Sequence, residues 1–112
     1  MKTKLLTICL LLFTSQVFAE QCKGNIRHNC YGSYSFGADS KYAGDKYEGE
    51  YKNNAMHGQG TYIFGGSRGQ FSKDKYVGQF KNDVYDGQGI YTFGPKSNFA
   101  GSKYEGQFKN RI

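Results

Sequence analysis

The pentapeptide Tyr47-Glu48-Gly49-Glu50-Tyr51 returns as Tyr76-Val77-Gly78-Gln79-Phe80 and again as Tyr104-Glu105-Gly106-Gln107-Phe108, with starts 29 and 28 residues apart. A second block follows each of the first two at one fixed offset. Gly58-Gln59-Gly60-Thr61-Tyr62-Ile63-Phe64 matches Gly87-Gln88-Gly89-Ile90-Tyr91-Thr92-Phe93. Repetition with a period of roughly 20 to 50 residues marks arrays in which one small unit stacks on copies of itself. The architecture can therefore be read before anything else about this chain.

Strict alternation within each block argues for strands. In Tyr47 to Tyr51 the rings and Gly49 face one way, and Glu48 and Glu50 the other. In the second block Gly58, Gly60, Tyr62 and Phe64 share a face opposite Gln59, Thr61 and Ile63. Lys52-Asn53-Asn54-Ala55-Met56 and Lys81-Asn82-Asp83-Val84-Tyr85 join the blocks, and Asn and Asp accept the left-handed backbone of tight hairpins. No segment has helical periodicity. Glycine alternating with large rings on one face suggests rings laid flat over bare backbone in a continuous stacked row. Gly32 to Phe36 reads as the second strand of a shortened first unit, with its first strand near Cys22. The expected fold is all-β: an elongated antiparallel β-meander of repeated hairpins in a single sheet. Such a sheet needs a partner surface, a dimer, or enough coiling for its aromatic face to close on itself.

Residues 1–19 read as an export signal, with Lys2 and Lys4, an apolar stretch from Leu5 to Phe13, and the small-residue pattern Val17-Phe18-Ala19. Export places the domain, residues 20–112, in the periplasm or outside the cell. Cys9 leaves with the signal, and the remaining Cys22 and Cys30 are expected to pair in an oxidising compartment. With His28 they make only three irregularly spaced candidate metal ligands, whereas structural zinc takes four, so no metal is expected. Glu20-Gln21-Cys22 lacks the small residue that precedes a lipid-modified cysteine. The domain keeps 13 of the 15 basic residues against 9 acidic ones, a net charge of +4. Its lysines recur with the repeat and do not cluster, as on a solvated face that resists edge-to-edge aggregation.

The blocks Tyr47 to Lys52 and His57-Gly58-Gln59-Gly60-Thr61-Tyr62 resemble the MORN (membrane occupation and recognition nexus) repeat, whose pattern is Tyr-x-Gly-x-aromatic, a short turn, then Gly-x-Gly-x-aromatic. The resemblance spans approximately residues 30–108. It divides the domain into a partial repeat at 22–46, repeats at 47–75 and 76–103, and a partial repeat at 104–112. Asn54 and Asp83 replace the family's turn glycine, and the family's histidine is kept as His57 but becomes Asp86. The connections, Gly65 to Lys75 and Gly94 to Lys103, are longer than usual, similar to an exported bacterial variant. Each connection carries a ring, Tyr42, Phe71 or Phe99, five residues before the next repeat tyrosine. The resemblance implies a scaffold or binding platform, with protein and membrane contacts both known in the family.

Nothing catalytic stands out from the repeat. Neither Cys-His nor Ser-His pairs recur as a nucleophile with its base would. Gln79 and Gln107 replace Glu50 without disturbing the pattern, so the paired carboxylates read as a solvated face, and His57 as a hairpin-end hydrogen bond. Gly65-Gly66-Ser67-Arg68-Gly69 lacks the ending of a phosphate loop. Mild charge and export argue against nucleic acid. The expectation is a non-enzymatic module without cofactor, binding a protein partner through the row Tyr47, Tyr51, Tyr62, Tyr76, Phe80, Tyr91, Tyr104 and Phe108. Tyr104 to Phe108, a strand without its hairpin mate in the sequence, is expected to offer an edge for a partner or for self-association. The alternative is a peripheral binder of anionic lipid or envelope glycan, through Arg68, Phe71, Lys73 and Lys75 in one connection and Lys96, Phe99 and Lys103 in the next.

Overall fold

The computed structural model describes residues 20–111. The expected export signal lies outside the described residues. Six strands follow one another in space as in sequence: β1 (Cys30–Ser35), β2 (Lys46–Lys52), β3 (Ala55–Ile63), β4 (Lys75–Lys81), β5 (Val84–Thr92) and β6 (Lys103–Arg111). Every ladder is antiparallel, and the sheet is an uninterrupted meander. One 3-10 turn, Gly69–Phe71, is the only helical element among the described residues. The principal extents are 51 × 36 × 22 Å, an elongated body.

The register follows from the glycines. Gly32 faces Gly49, Gly49 faces Gly60, Gly60 faces Gly78, Gly78 faces Gly89, and Gly89 faces Gly106. One line of glycines therefore crosses the sheet, and the repeat tyrosines lie along it. A Cβ added at Gly60 would stand 2.5 Å from Tyr47 Cε1, and one at Gly89 would strike Tyr76 in the same way. Any larger residue would displace the ring. Asn53 and Asn54 (φ 52° and 63°) and Asn82 and Asp83 (φ 48° and 72°) form the expected left-handed turns, in the conformation whose twist matches a hairpin.

The aromatic face is the core, with Tyr47, Tyr51, Tyr62, Phe64, Tyr76, Phe80 and Tyr85 all buried. The expected flat stacking of this row does not occur. Tyr47 meets Tyr51 at 5.1 Å and Phe80 at 5.0 Å, and Tyr76 meets Phe108 at 4.9 Å, all edge to face. Tyr76 and Tyr85, at 3.8 Å and 14°, are the stacked pair among the described residues. Ring quadrupoles favour edge-on contact wherever neighbours can tilt. Tyr47 and Phe80 lie two strands apart, roughly 10 Å in a flat sheet. Their contact needs a curled one, and the register shifts at Gly49/Tyr51, Gly78/Phe80 and Tyr85/Gly87 supply the bends. Of the ways open to a single sheet for burying its rings, this one curls over itself. The first strand expected near Cys22 is also absent, and that segment makes one isolated parallel bridge, Gln21 to Tyr31.

Candidate functional site

Three connections run along one end of the sheet. The first and third share one design. Ser40 and Ser97 each accept, at Oγ, the N–H two residues on, from Tyr42 and Phe99, both at 3.0 Å. Gly44 (φ 85°) and Gly101 (φ 83°) then close the loop by donating to Phe36 and Phe93. The middle connection is one residue longer. Arg68 takes the serine's place, and Lys73 closes the loop onto Phe64 at a left-handed φ of 66°. The rings expected in the connections pack on the ends of the strands: Tyr42 on Phe36 at 5.5 Å, Phe71 on Phe64 at 6.0 Å, and Phe99 on Phe93 at 5.5 Å.

Two aspartates fasten successive connections together. Asp45 accepts the Tyr62 hydroxyl at 2.5 Å and the Gly65 N–H at 2.8 Å, and it pairs with the Arg68 guanidinium. Asp74 accepts the Tyr91 hydroxyl at 2.5 Å and the Gly94 N–H at 2.7 Å, and Ser97 stands where Arg68 stood. Both carboxylates are buried, at 0% and 1% exposure. Burial pushes the Tyr62 and Tyr91 hydroxyls well above the usual phenol range, and the carboxylates they donate to push the same way. Arg68 also lies over the rings of Phe64 (5.0 Å) and Tyr42 (5.6 Å). Sequence reading missed both aspartates. The available signal was their fixed place, two residues before the repeat tyrosine, which Ser102 breaks in the third unit.

The opposite end of each hairpin explains why glutamate and glutamine interchange. A bulge in β3, where residues 57–59 lie opposite Glu50 alone, leaves the Glu50 carbonyl and the Gln59 N–H outside the β2–β3 ladder. Tyr47 donates to that carbonyl at 2.7 Å, and the Glu50 carboxylate accepts that N–H at 2.6 Å. In the next unit Tyr76 donates to the Gln79 carbonyl at 2.7 Å, while Gln79 Oε1 accepts from Gln88 at 2.7 Å. Either side chain supplies the needed oxygen. At this end Asp83 also accepts a hydrogen bond, from the Met56 N–H at 2.8 Å. The expected contribution of His57 is not among these bonds. Its ring lines a shallow polar depression of about 300 Å³ with Glu50, Gln79 and Asp86.

The two edges of the sheet differ. At β1, Cys22 and Cys30 form a disulfide with Cα atoms 4.9 Å apart. The segment it closes lies on the edge: Cys22 N–H donates to the Tyr31 carbonyl, Tyr31 N–H to that of Glu20, and Arg27 Nη1 to that of Ser33. Arg27 also exchanges two hydrogen bonds with Asn54 at the first hairpin tip, the same pairing that Met56 makes with Asp83 at the next. His28 Nδ1 accepts the Asn53 N–H at 3.0 Å, so this histidine is a tip contact. At β6 no strand covers the outer edge among the described residues. Beside it an open groove of about 510 Å³ is lined by Tyr91, Phe93, Tyr104, Gln107, Phe108 and Lys109.

Of the expected binding row, Tyr47, Tyr51, Tyr62, Tyr76 and Phe80 are sealed in the core, because the curled face covers them. Tyr91 and Phe108 are half-buried, and Tyr104 is 49% exposed. Of the expected anionic-surface set, Lys73, Lys75, Lys96 and Lys103 are exposed beside Phe71 (47%) and Phe99 (64%). Arg68 is committed to Asp45. Among the described residues, no group of three His, Cys, Asp or Glu side chains is placed to hold a metal.

An uninterrupted meander of hairpins in phase, tied unit to unit, defines the class: an all-β repeat array. The family model described as MORN repeat matches residues 47–66 and 76–97. No curated protein matches the chain at a significant level. MORN repeats generally serve as protein or membrane interaction modules.

Proposed function

We propose that the chain is an exported, non-enzymatic interaction module that binds a protein partner, or a second copy of itself, along the outer edge of β6. One observation carries this reading. The glycine line and aromatic row reach β6 with Tyr104 still half exposed and a groove open beside it. Unpaired strand edges recruit partners through main-chain hydrogen bonds, with neighbouring pockets giving selectivity. The test is capture of partners from envelope extract by the wild-type chain and by Tyr104→Arg, with light scattering across a wide concentration range. Capture or self-association that weakens at least about tenfold in the variant supports the reading, a loss of 1.4 kcal/mol or more. Equal capture by both, together with a strict monomer, defeats it.

A second reading is favoured by the exposed Phe71 and Phe99 among four lysines at the connection end. It is peripheral contact with an anionic lipid or envelope glycan surface, since rings beside cations suit a headgroup region. Sedimentation with anionic and neutral vesicles checks it. Equal, salt-insensitive recovery in the supernatant defeats the lipid form.

A further inference from the structure

We propose that the outer edge of β1 is a latent docking site for β6 of a second copy of this chain, held shut by the Cys22–Cys30 segment. The inference rests on the reading of β6 as a pairing edge, and adds the partner strand and the device that excludes it.

The sheet contains two kinds of strand. β2, β4 and β6 carry Tyr-x-Gly-x-aromatic, and β1, β3 and β5 carry Gly-x-Tyr. Within each hairpin the two kinds meet in one register: Tyr47 with Tyr62 and Gly49 with Gly60, then Tyr76 with Tyr91 and Gly78 with Gly89. The outer edges of the sheet are of opposite kinds. Laid antiparallel on β6 in that register, β1 of a second copy sets its Tyr34 against Tyr104 and its Gly32 against Gly106. Tyr34 and Tyr104, exposed at 47% and 49%, are the repeat tyrosines without an outer neighbouring strand among the described residues, and this pairing covers both. Lys103 then faces Ser35 of the second copy, as Lys75 faces Thr92 within the chain. Two β6 strands in glycine-to-glycine register would instead set Lys103 opposite Lys109 at both ends, which like charge disfavours.

The N-terminal segment occupies what the incoming strand needs. It takes the Tyr31 N–H and carbonyl and the Ser33 carbonyl, all on the outward side of β1. It also fills the space over Gly32, where an added Cβ would meet Arg27 Nη1 at 3.2 Å and Cys22 Cβ at 3.3 Å. That is the space in which Tyr47 covers Gly60 one unit on. An edge of one kind meeting an edge of the other is a heterologous contact. Repeated from copy to copy, it gives open-ended rows and not a closed dimer. The disulfide-closed segment thus acts as a stopper against head-to-tail growth.

The test compares the full chain with Cys22→Ser/Cys30→Ser and with Arg27→Ala, which keeps the disulfide and frees the Ser33 carbonyl. Each is measured by light scattering over about a hundredfold range of concentration. Folding is checked by circular dichroism, and protection at residues 31–35 and 104–108 by hydrogen exchange. The proposal expects the opened variants to form a series of species whose mass keeps rising with concentration, and the wild type to form none. Gly106→Val added to either variant should abolish the series. If both variants fold and both keep the wild-type mass throughout, the latent site is overturned while the β6 reading stands on its own capture experiment. If the series forms but survives Gly106→Val, β6 is not the donor and the proposal fails together with that reading.

Discussion

Asp45 and Asp74 occupy the same place in successive units and keep the same two bonds, one to a tyrosine hydroxyl and one to the first N–H of the next connection. They differ in one neighbour. Asp45 has the Arg68 guanidinium, and Asp74 has Ser97 at that position. The shared bonds are therefore what a connection requires, and the cation is an addition made where the loop is one residue longer. Arg68 cannot be read as a free cation awaiting an anionic ligand, whereas the lysines around Phe71 and Phe99 can.

This contrast can be broken most forcefully by truncation. Asp45→Ala strands a hydroxyl, an N–H and a guanidinium and should cost about 3–5 kcal/mol. Asp74→Ala strands only the first two and should cost about 2–3 kcal/mol. Urea unfolding of the two variants checks the order, and equal losses would show that Arg68 contributes nothing. Alkali tests the part both units share. Burial raises Tyr62 and Tyr91 well above the phenol range and Tyr76 to about 12. A raised tyrosine keeps its contribution below the unfolded value of about 10 and loses it as pH climbs toward the folded one, at up to about 1.4 kcal/mol per pH unit per group. Stability should stay flat to about pH 9 and then fall, with tyrosinate absorbance rising in step with unfolding.

Smaller effects separate the units further. The Tyr51 hydroxyl is buried without a hydrogen-bond partner, and the equivalent residue in the next unit is Phe80. Tyr51→Phe should leave the melting temperature unchanged or raise it, a gain between zero and about 1 kcal/mol. Lys73 holds a left-handed backbone where the other connections use Gly44 and Gly101. Lys73→Gly should stabilise by about 0.5 kcal/mol, readable as a small shift in the urea midpoint.

The hairpins, the left-handed Asn and Asp turns and the glycine register were legible because each depends on neighbours close in sequence. The period of two sets the faces, and an asparagine at a tip needs no distant contact to declare itself. The two aspartates were illegible for the opposite reason. An acid before a strand reads as solvated until a connection some 20 residues on folds over it and delivers a glycine N–H. The same long-range curl turned Tyr47, Tyr51, Tyr62, Tyr76 and Phe80 from an expected binding surface into the core, and left Tyr104 outside. Whether a glutamate and a glutamine are equivalent likewise depends on a bulge that alternation alone cannot reveal.

The alignment of Gly32, Gly49, Gly60, Gly78, Gly89 and Gly106 across every ladder has a consequence for how such a protein changes over generations. Each unit enters and leaves the sheet in the same phase, and differences in spacer length are absorbed in the connections. A hairpin can be duplicated or excised by recombination without resetting the pairing of any other. Copy number is then free to drift, while the chemistry of each seam stays as it was.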